Sequence, residues 1–314
     1  MKEALRLVAP GCLGTCWYGK YHYVEPWVGC GHGCDYCYAR SRSVVTEQLA
    51  QARTSFEKPA AIVPQEKLLE TLKAEVREHK VETAKLCRFT DIFSPPWVEQ
   101  GLSLAVLETL VETGVGRIII TTKGLPDKKI LAFLRKDPAR FSYNAAVRPC
   151  QDLPLESGLP LLEKRLEAAA VLAKAGLKVT IHLDPMVPGF DDAPAILEPF
   201  FGVLKGLGLS RVMFSYLLLN KGSIDRLEAR LGPEVSLAVL KNYDLTRSEP
   251  MLPGQEETDY FQVLAEVKQA SVRNVAGLLK AGGFDFVLCS LKSVSTGDAD
   301  KLGGCAVCDG SFYA

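Results

Sequence analysis

Residues 29 to 40 read Gly29-Cys30-Gly31-His32-Gly33-Cys34-Asp35-Tyr36-Cys37-Tyr38-Ala39-Arg40. Cys30, Cys34 and Cys37 stand in the spacing C-x3-C-x2-C. Three thiolates this close together can each hold one iron of a [4Fe–4S] cluster, leaving the fourth iron open to a substrate or cofactor. The interleaved glycines let the backbone turn sharply, with amide N–H groups free to face the sulfides. A structural zinc site closes its tetrahedron with a fourth ligand. His32, lying between the first two cysteines, is badly placed to be that ligand.

The rest of the composition is ordinary. The chain has 314 residues, and its 37 basic and 37 acidic residues leave a formal charge of zero; 47% of residues are hydrophobic and 24% charged. That balance excludes intrinsic disorder, a collagen-like repeat and a polycationic nucleic-acid coat. Ten cysteines are the outlier. Met1–Pro10 lacks the apolar core and small-residue cleavage site of a signal peptide, and no run approaches the ~18 apolar residues of a membrane span. A cytoplasmic protein with no membrane partner is the expectation. In that setting the cysteines point to metal ligation or catalysis rather than to a disulfide framework.

Outward from the cysteine loop, apolar strand-like runs alternate with helical patterns, without repeats or low-complexity segments. Strands are expected at residues 84–90, 116–122, 141–147, 177–183, 211–218 and 284–289. Helices are expected at 98–112, 127–135, 159–175, 194–206, 224–231 and 260–281. Such alternation implies a parallel sheet with right-handed crossovers, open or closed into a barrel, and chemistry at the carboxyl ends of the strands. Those ends carry Thr90-Asp91, Thr122-Lys123, Asn144 and Asp184-Pro185.

The cysteine loop resembles that of the radical S-adenosylmethionine (radical SAM) superfamily, whose motif is C-x3-C-x-aromatic-C, with Tyr36 at the aromatic position. The longer string is similar to the spore photoproduct lyase-like branch. Thr90-Asp91-Ile92, Thr122-Lys123, the Arg165 helix and Asp184-Pro185-Met186-Val187-Pro188-Gly189 follow in that branch's order. The resemblance implies an α/β fold, a partial (β/α)6 TIM-like barrel of the radical SAM type. It would span residues 22–220, with an N-terminal extension at 1–21 and a C-terminal helical extension and cysteine-containing tail at 221–314.

It also implies a mechanism. The open iron chelates the amino and carboxylate groups of SAM, and one electron from a flavodoxin or ferredoxin-type reductant cleaves the sulfonium. The resulting 5′-deoxyadenosyl radical then abstracts a hydrogen atom from the substrate. By position, Tyr36 would lie over the adenine side of SAM, with Thr90, Asp91, Asn144 and Asp184 in its binding site and Lys123 facing the carboxylate. On its own, Lys123 reads as a solvated turn lysine. Phe89-Thr90-Asp91 replaces the superfamily's usual Gly-Gly-Glu, which leaves the contact to the SAM amino group open. Arg165 has no acidic neighbour three or four residues away, so it reaches a ligand carboxylate or snorkels over apolar neighbours into water. Lyases of this branch place a hydrogen-donating cysteine just before a Ser-Asp-Ile-like segment. Cys87 lies one residue further upstream than that pattern and reads equally as a small core thiol. Tyr38 corresponds to a tyrosine of a radical relay, or simply packs beside the cluster.

Two further cysteine pairs remain, Cys12-x3-Cys16 and Cys305-x2-Cys308. Together they supply enough thiolates for a second [4Fe–4S] cluster or a four-thiolate zinc site, with Cys289 as a replacement ligand. A redox-active pair and incidental thiols are the alternatives. The branch offers DNA-lesion repair as the reaction, but zero net charge argues against a large nucleic-acid footprint and favours a small molecule or peptide substrate. A non-catalytic iron–sulfur or zinc protein is the reading from another class.

Overall fold

The computed structural model describes residues 6–11, 21–250, 259–289, 305, 308 and 312. The strands are β1 (Val8–Pro10), β2 (His22–Val24), β3 (Trp27–Val28), β4 (Ala60–Ala61), β5 (Thr83–Leu86), β6 (Arg117–Thr122), β7 (Phe141–Val147), β8 (Lys178–Met186), β9 (Arg211–Tyr216), β10 (Tyr243–Pro250), β11 (Asp259–Val263) and β12 (Asp285–Leu288). The helices are α1 (Ser43–Ala52), α2 (Leu68–Glu78), α3 (Pro95–Glu99), α4 (Leu102–Glu112), α5 (Lys128–Leu134), α6 (Leu162–Lys174), α7 (Pro194–Gly206), α8 (Lys221–Leu240) and α9 (Ala265–Ala281).

One sheet organises the fold, in the order β1-β2-β5-β6-β7-β8-β9-β12. All neighbours from β2 to β12 pair in parallel, and β1 pairs with β2 antiparallel. The spatial order never reverses along the chain, so each crossover steps the same way and the sheet has no switch point. Six parallel strands fall within residues 22–220, but the sheet also takes in β1 and β12 from outside them. Among the described residues β1 and β12 do not pair with each other.

Burial follows the layering. All seven residues of β7 are buried, as expected for a central strand covered on both faces. Val106, Leu107 and Leu110 of α4, Leu166, Ala169 and Leu172 of α6, and Leu197, Phe201 and Leu204 of α7 supply the covering apolar stripes. Among the described residues no helix is long and apolar enough to cross a membrane.

Several expected elements differ in extent. The strand expected at 84–90 stops at Leu86, because Cys87 turns into the left-handed region with φ +61. The helix expected at 98–112 is divided by Gly101 at φ +75 into α3 and α4. The helix expected from 260 starts instead at Ala265: Tyr260, Phe261 and Val263 form β11, which pairs with β10. β-branched and aromatic side chains there favour the extended partner over another helical turn.

Candidate functional site

Cys30, Cys34 and Cys37 lie in the turns after β3 and line one cavity at the carboxyl ends of the parallel strands. Lys123, at the end of β6, lines it too, as do Cys87, Thr90 and Asp91 after β5 and Asp184 and Pro185 of β8. A segment absent from the sequence reading, residues 155–158 between β7 and α6, straps the cysteine loop down. Asp35 N donates to Leu155 O at 3.0 Å, Gly158 N donates to His32 O at 3.0 Å, and Cys34 forms an isolated bridge with Glu156. The approach is close enough to require glycine: a Cβ on Gly158 would sit 2.5 Å from Gly31 O, and one on Gly33, at φ +63, would overlap the Ser157 hydroxyl.

Asp91 ties this loop to the strand ends. Oδ1 accepts from Thr122 Oγ1 at 2.6 Å and Phe93 N at 2.8 Å. Oδ2 accepts from Lys123 N at 2.7 Å and Gly124 N at 3.2 Å, and lies 3.1 Å from His32 Nε2. Burial opposes the charge, but His32, Thr122 and the Lys123 amide outweigh it and hold the carboxyl below the usual carboxylate range. Both oxygens are therefore committed to the scaffold.

Lys123 reaches across the cavity wall. Its Nζ donates to Glu156 Oε1 at 2.9 Å and Asp184 O at 3.0 Å, and lies 5.3 Å from the Tyr36 ring centroid. The Tyr36 hydroxyl donates to the same Glu156 oxygen. Burial raises the Glu156 carboxyl, yet the Lys123 and Arg148 charges more than reverse this and bring it to about 2. Lys123 is thus a partly buried, paired cation, not the solvated turn lysine its sequence context alone implies. Arg148 is pinned by Asp191, Nε to Oδ2 at 3.1 Å, with both side chains at most 1% exposed.

Cys87 is 6% exposed. Its left-handed backbone costs a non-glycine residue roughly 1–2 kcal/mol. The turn is held open by Cys87 N donating to Val24 O at 3.1 Å and by Glu25, whose Oε1 accepts from the amides of Arg88 and Phe89. Thr90 Oγ1 lies 3.4 Å from the other Glu25 oxygen. Burial pushes the Glu25 carboxyl up to about 7 and lifts the Cys87 thiol well above the ordinary value. The Tyr38 hydroxyl donates to Arg88 O.

Not every expected residue reaches the cavity. Asn144 is buried and donates to Ile120 O at 3.0 Å, away from the lining. Arg165 is 2% exposed, so it does not snorkel into water. Its Nη1 donates to Ala146 O at 3.0 Å and to Lys123 O at 3.4 Å, fastening the ends of β6 and β7 from behind. Cys12 and Cys16 lie outside the described residues. Cys305 and Cys308 are each 2% exposed. Cys308 N donates to Leu288 O at 2.8 Å, and Cys289 lines the main cavity.

The donor set fits an iron–sulfur cluster better than a single ion. Among the described residues no three His, Cys, Asp or Glu side chains converge on one metal position. Cys30, Cys34 and Cys37 line the same cavity, where three thiolates at this spacing could each take one iron of a cluster. Burial pushes all three thiols up, Cys30 to about 12.

No family model matches the chain. Uncharacterized proteins of Mycobacterium tuberculosis and Mycobacterium bovis are 25% identical over 240 residues, covering 73% of this chain and 68% of theirs. Among solved structures, a single-residue variant of spore photoproduct lyase matches 91% of this chain and 80% of its own with a TM-score of 0.63 at 14% identity. The lyase complexed with dinucleoside spore photoproduct matches 90% and 79% with a TM-score of 0.59 at 15% identity. A variant with bound AdoMet and dinucleoside spore photoproduct matches 89% and 78% with a TM-score of 0.60 at 14% identity. The fold of this chain is that of spore photoproduct lyase.

Proposed function

We propose that this chain, built on the fold of spore photoproduct lyase, is a radical SAM enzyme that abstracts a hydrogen atom from a substrate held in the same cavity. The observation that carries the reading is the gathering of Cys30, Cys34, Cys37, Lys123 and Cys87 around one cavity at the carboxyl ends of the parallel strands. When bound, a [4Fe–4S] cluster and SAM would supply the electron and the radical chemistry.

The chain's own residues bind, orient and shield. Cys30, Cys34 and Cys37 hold the cluster, and the 155–158 strap covers their loop. Lys123 offers a point charge to the SAM carboxylate, and Tyr36, beneath its ammonium, forms part of the same wall. Asp91 and Arg165 fix the end of β6 without touching ligand. Cys87 keeps its S–H bond, because burial disfavours the thiolate; the protonated thiol is the form able to return a hydrogen atom. The Tyr38 hydroxyl donates to the carbonyl of Arg88, beside Cys87, and Tyr38 is the candidate relay. The electron would come from a flavodoxin or ferredoxin-type partner. The terminal cysteines would hold a second cluster or zinc together with Cys12 and Cys16, or with Cys289 as a replacement ligand.

The lining bears on substrate class. Lys85, Arg88 and Arg42 share the cavity wall with Tyr23, Tyr38, Phe89 and Tyr260. Arg88 lies 4.7 Å from the Phe89 ring centroid and 5.3 Å from that of Tyr23. Cations beside aromatic faces suit an anionic substrate with planar rings. This local concentration turns the preference drawn from zero net charge toward a nucleotide-like substrate, such as a DNA lesion, and away from a neutral small molecule or peptide.

Anaerobic reconstitution followed by SAM and dithionite tests the reading. Formation of 5′-deoxyadenosine and about four irons per chain bound through the triad are expected. Failure of the reconstituted protein to cleave SAM overturns it.

A further inference from the structure

Two arginines flank the turn that carries Cys37, and neither has a part in the function proposed above. Arg40 follows three residues later and pairs with Glu57 through Nη1. Arg226 comes from α8, outside residues 22–220, and its Nε donates to Asp35 O at 2.8 Å. One turn further along α8, Arg230 Nε donates to Asp35 Oδ2 at 2.9 Å. Ser41 Oγ donates to Oδ1 of Asn220, the cap of α8, at 3.2 Å. The helix is thus fastened to the cysteine loop on both sides of Cys37.

The two cations are crowded and short of acceptors. Arg40 Nε and Arg226 Nη2 are buried, and neither has a hydrogen-bond partner among the described residues. Burial and the Arg40 charge both act to lower the Arg226 guanidinium. Burial raises the Cys37 thiol, while the Ala39 amide, the Arg40 charge and amide, and the Arg226 charge act in the opposite direction. Like charges held together with orphaned donors cost free energy unless an anion stands beside them. A thiolate-ligated cluster on Cys37 is such an anion.

We infer that Arg226 is a positioning residue that, together with Arg40, sets positive charge against Cys37 and raises the reduction potential of the cluster held there. The inference rests on the radical SAM reading and adds to it a control over the uptake of the electron.

Charge balance gives the sign. One electron makes the cluster more negative by one unit, so a fixed cation stabilises the reduced form more than the oxidised form. Neither Arg40 nor Arg226 lines the cavity. The effect needs no contact with SAM or substrate, because the field of the charge carries it through Cys37. The Arg40 side chain is 14% exposed and Arg226 is partly buried, so water and salt screen them only in part.

A purely structural role makes a different forecast. If Arg226 only fastened α8 to the loop, every substitution that breaks its bond to Asp35 would act alike, whatever its charge.

The test compares reconstituted protein as wild type, Arg226→Gln, Arg226→Lys and Arg230→Gln. Each is titrated anaerobically with dithionite and redox mediators, without SAM, and the reduced cluster is read by electron paramagnetic resonance. Arg226→Gln is expected to shift the balance about tenfold toward the oxidised cluster, equivalent to a potential lower by about 59 mV for one electron. Arg226→Lys, which keeps the charge, should stay within about threefold of wild type. So should Arg230→Gln, whose guanidinium is one turn further along α8 and 43% exposed. Arg226→Met replaces the glutamine variant if that protein does not assemble. A potential unchanged in the neutral variants overturns the inference, as does an equal drop in the neutral and lysine variants. Loss of the cluster from both neutral variants but not from the lysine variant also overturns it, by assigning the charge to cluster retention. Each of these leaves the radical SAM reading intact, whereas a wild-type protein that takes up no cluster overturns both.

Discussion

The backbone amide of Lys123 donates to Asp91 Oδ2 at 2.7 Å, so a carboxylate beyond β5 decides where the lysine at the end of β6 begins its reach. The same oxygen lies 3.1 Å from His32 in the cysteine loop. Replacing Asp91 with Asn points an amide NH2 at N–H donors and leaves one of them unpaired. The expected loss is about 3 kcal/mol of stability, read as a lower urea midpoint, with fewer irons retained per chain.

Glu25 makes stability depend on pH. Its folded-state value of about 7 lies above the ordinary 4.5, so the native state binds the proton more tightly than the unfolded chain does. That contribution is complete below about pH 4.5 and is lost as pH rises through about 7. The stability difference between wild type and Glu25→Gln should therefore shrink by about 3 kcal/mol between pH 4.5 and 8. Parallel urea titrations of the two proteins at each pH check this, and a flat difference would count against it.

Cys87→Ala separates hydrogen return from the earlier chemistry. The variant should keep its cluster and still form 5′-deoxyadenosine from SAM, but release product in which the substrate radical has been quenched by something other than the thiol. Product mass after reaction in deuterated buffer reads the difference. Because the thiol is 6% exposed and held protonated, alkylation of Cys87 at pH 8 should run at least about tenfold slower than in an unfolded control.

Gly33 and Ser157 form a steric pair across the strap. Gly33→Ala should destabilise the chain by about 2 to 4 kcal/mol, combining the penalty of φ +63 with overlap on the Ser157 hydroxyl. Adding Ser157→Gly should restore only the steric part. A double-mutant cycle in urea gives the coupling, and additivity would show that the two residues do not meet.

The cysteine triad was legible because its chemistry is local: three ligands, their glycines and Tyr36 all fall within ten residues. Periodicity could place Lys123 just after a strand, although not its burial, whereas Thr90 lies beyond the end of β5 at Leu86 and Asp184 inside β8. Glu156 and Glu25 were not legible, since nothing near either in sequence marks it. Each gains its meaning from a partner more than thirty residues away. Arg165 was misplaced for a related reason: local neighbours cannot show that the carbonyls of Lys123 and Ala146 lie above it. The direction of Cys87 was hidden by the assumption of a regular strand, which its left-handed turn breaks.

The strap also orders the protein's assembly in time. Gly33 and Ser157 are 124 residues apart, so during synthesis the three thiols emerge long before the segment that covers them. Until residues 155–158 have been made, the loop lacks the backbone bonds that Asp35 N and Gly158 N form across it, so its finished shape depends on a segment translated much later.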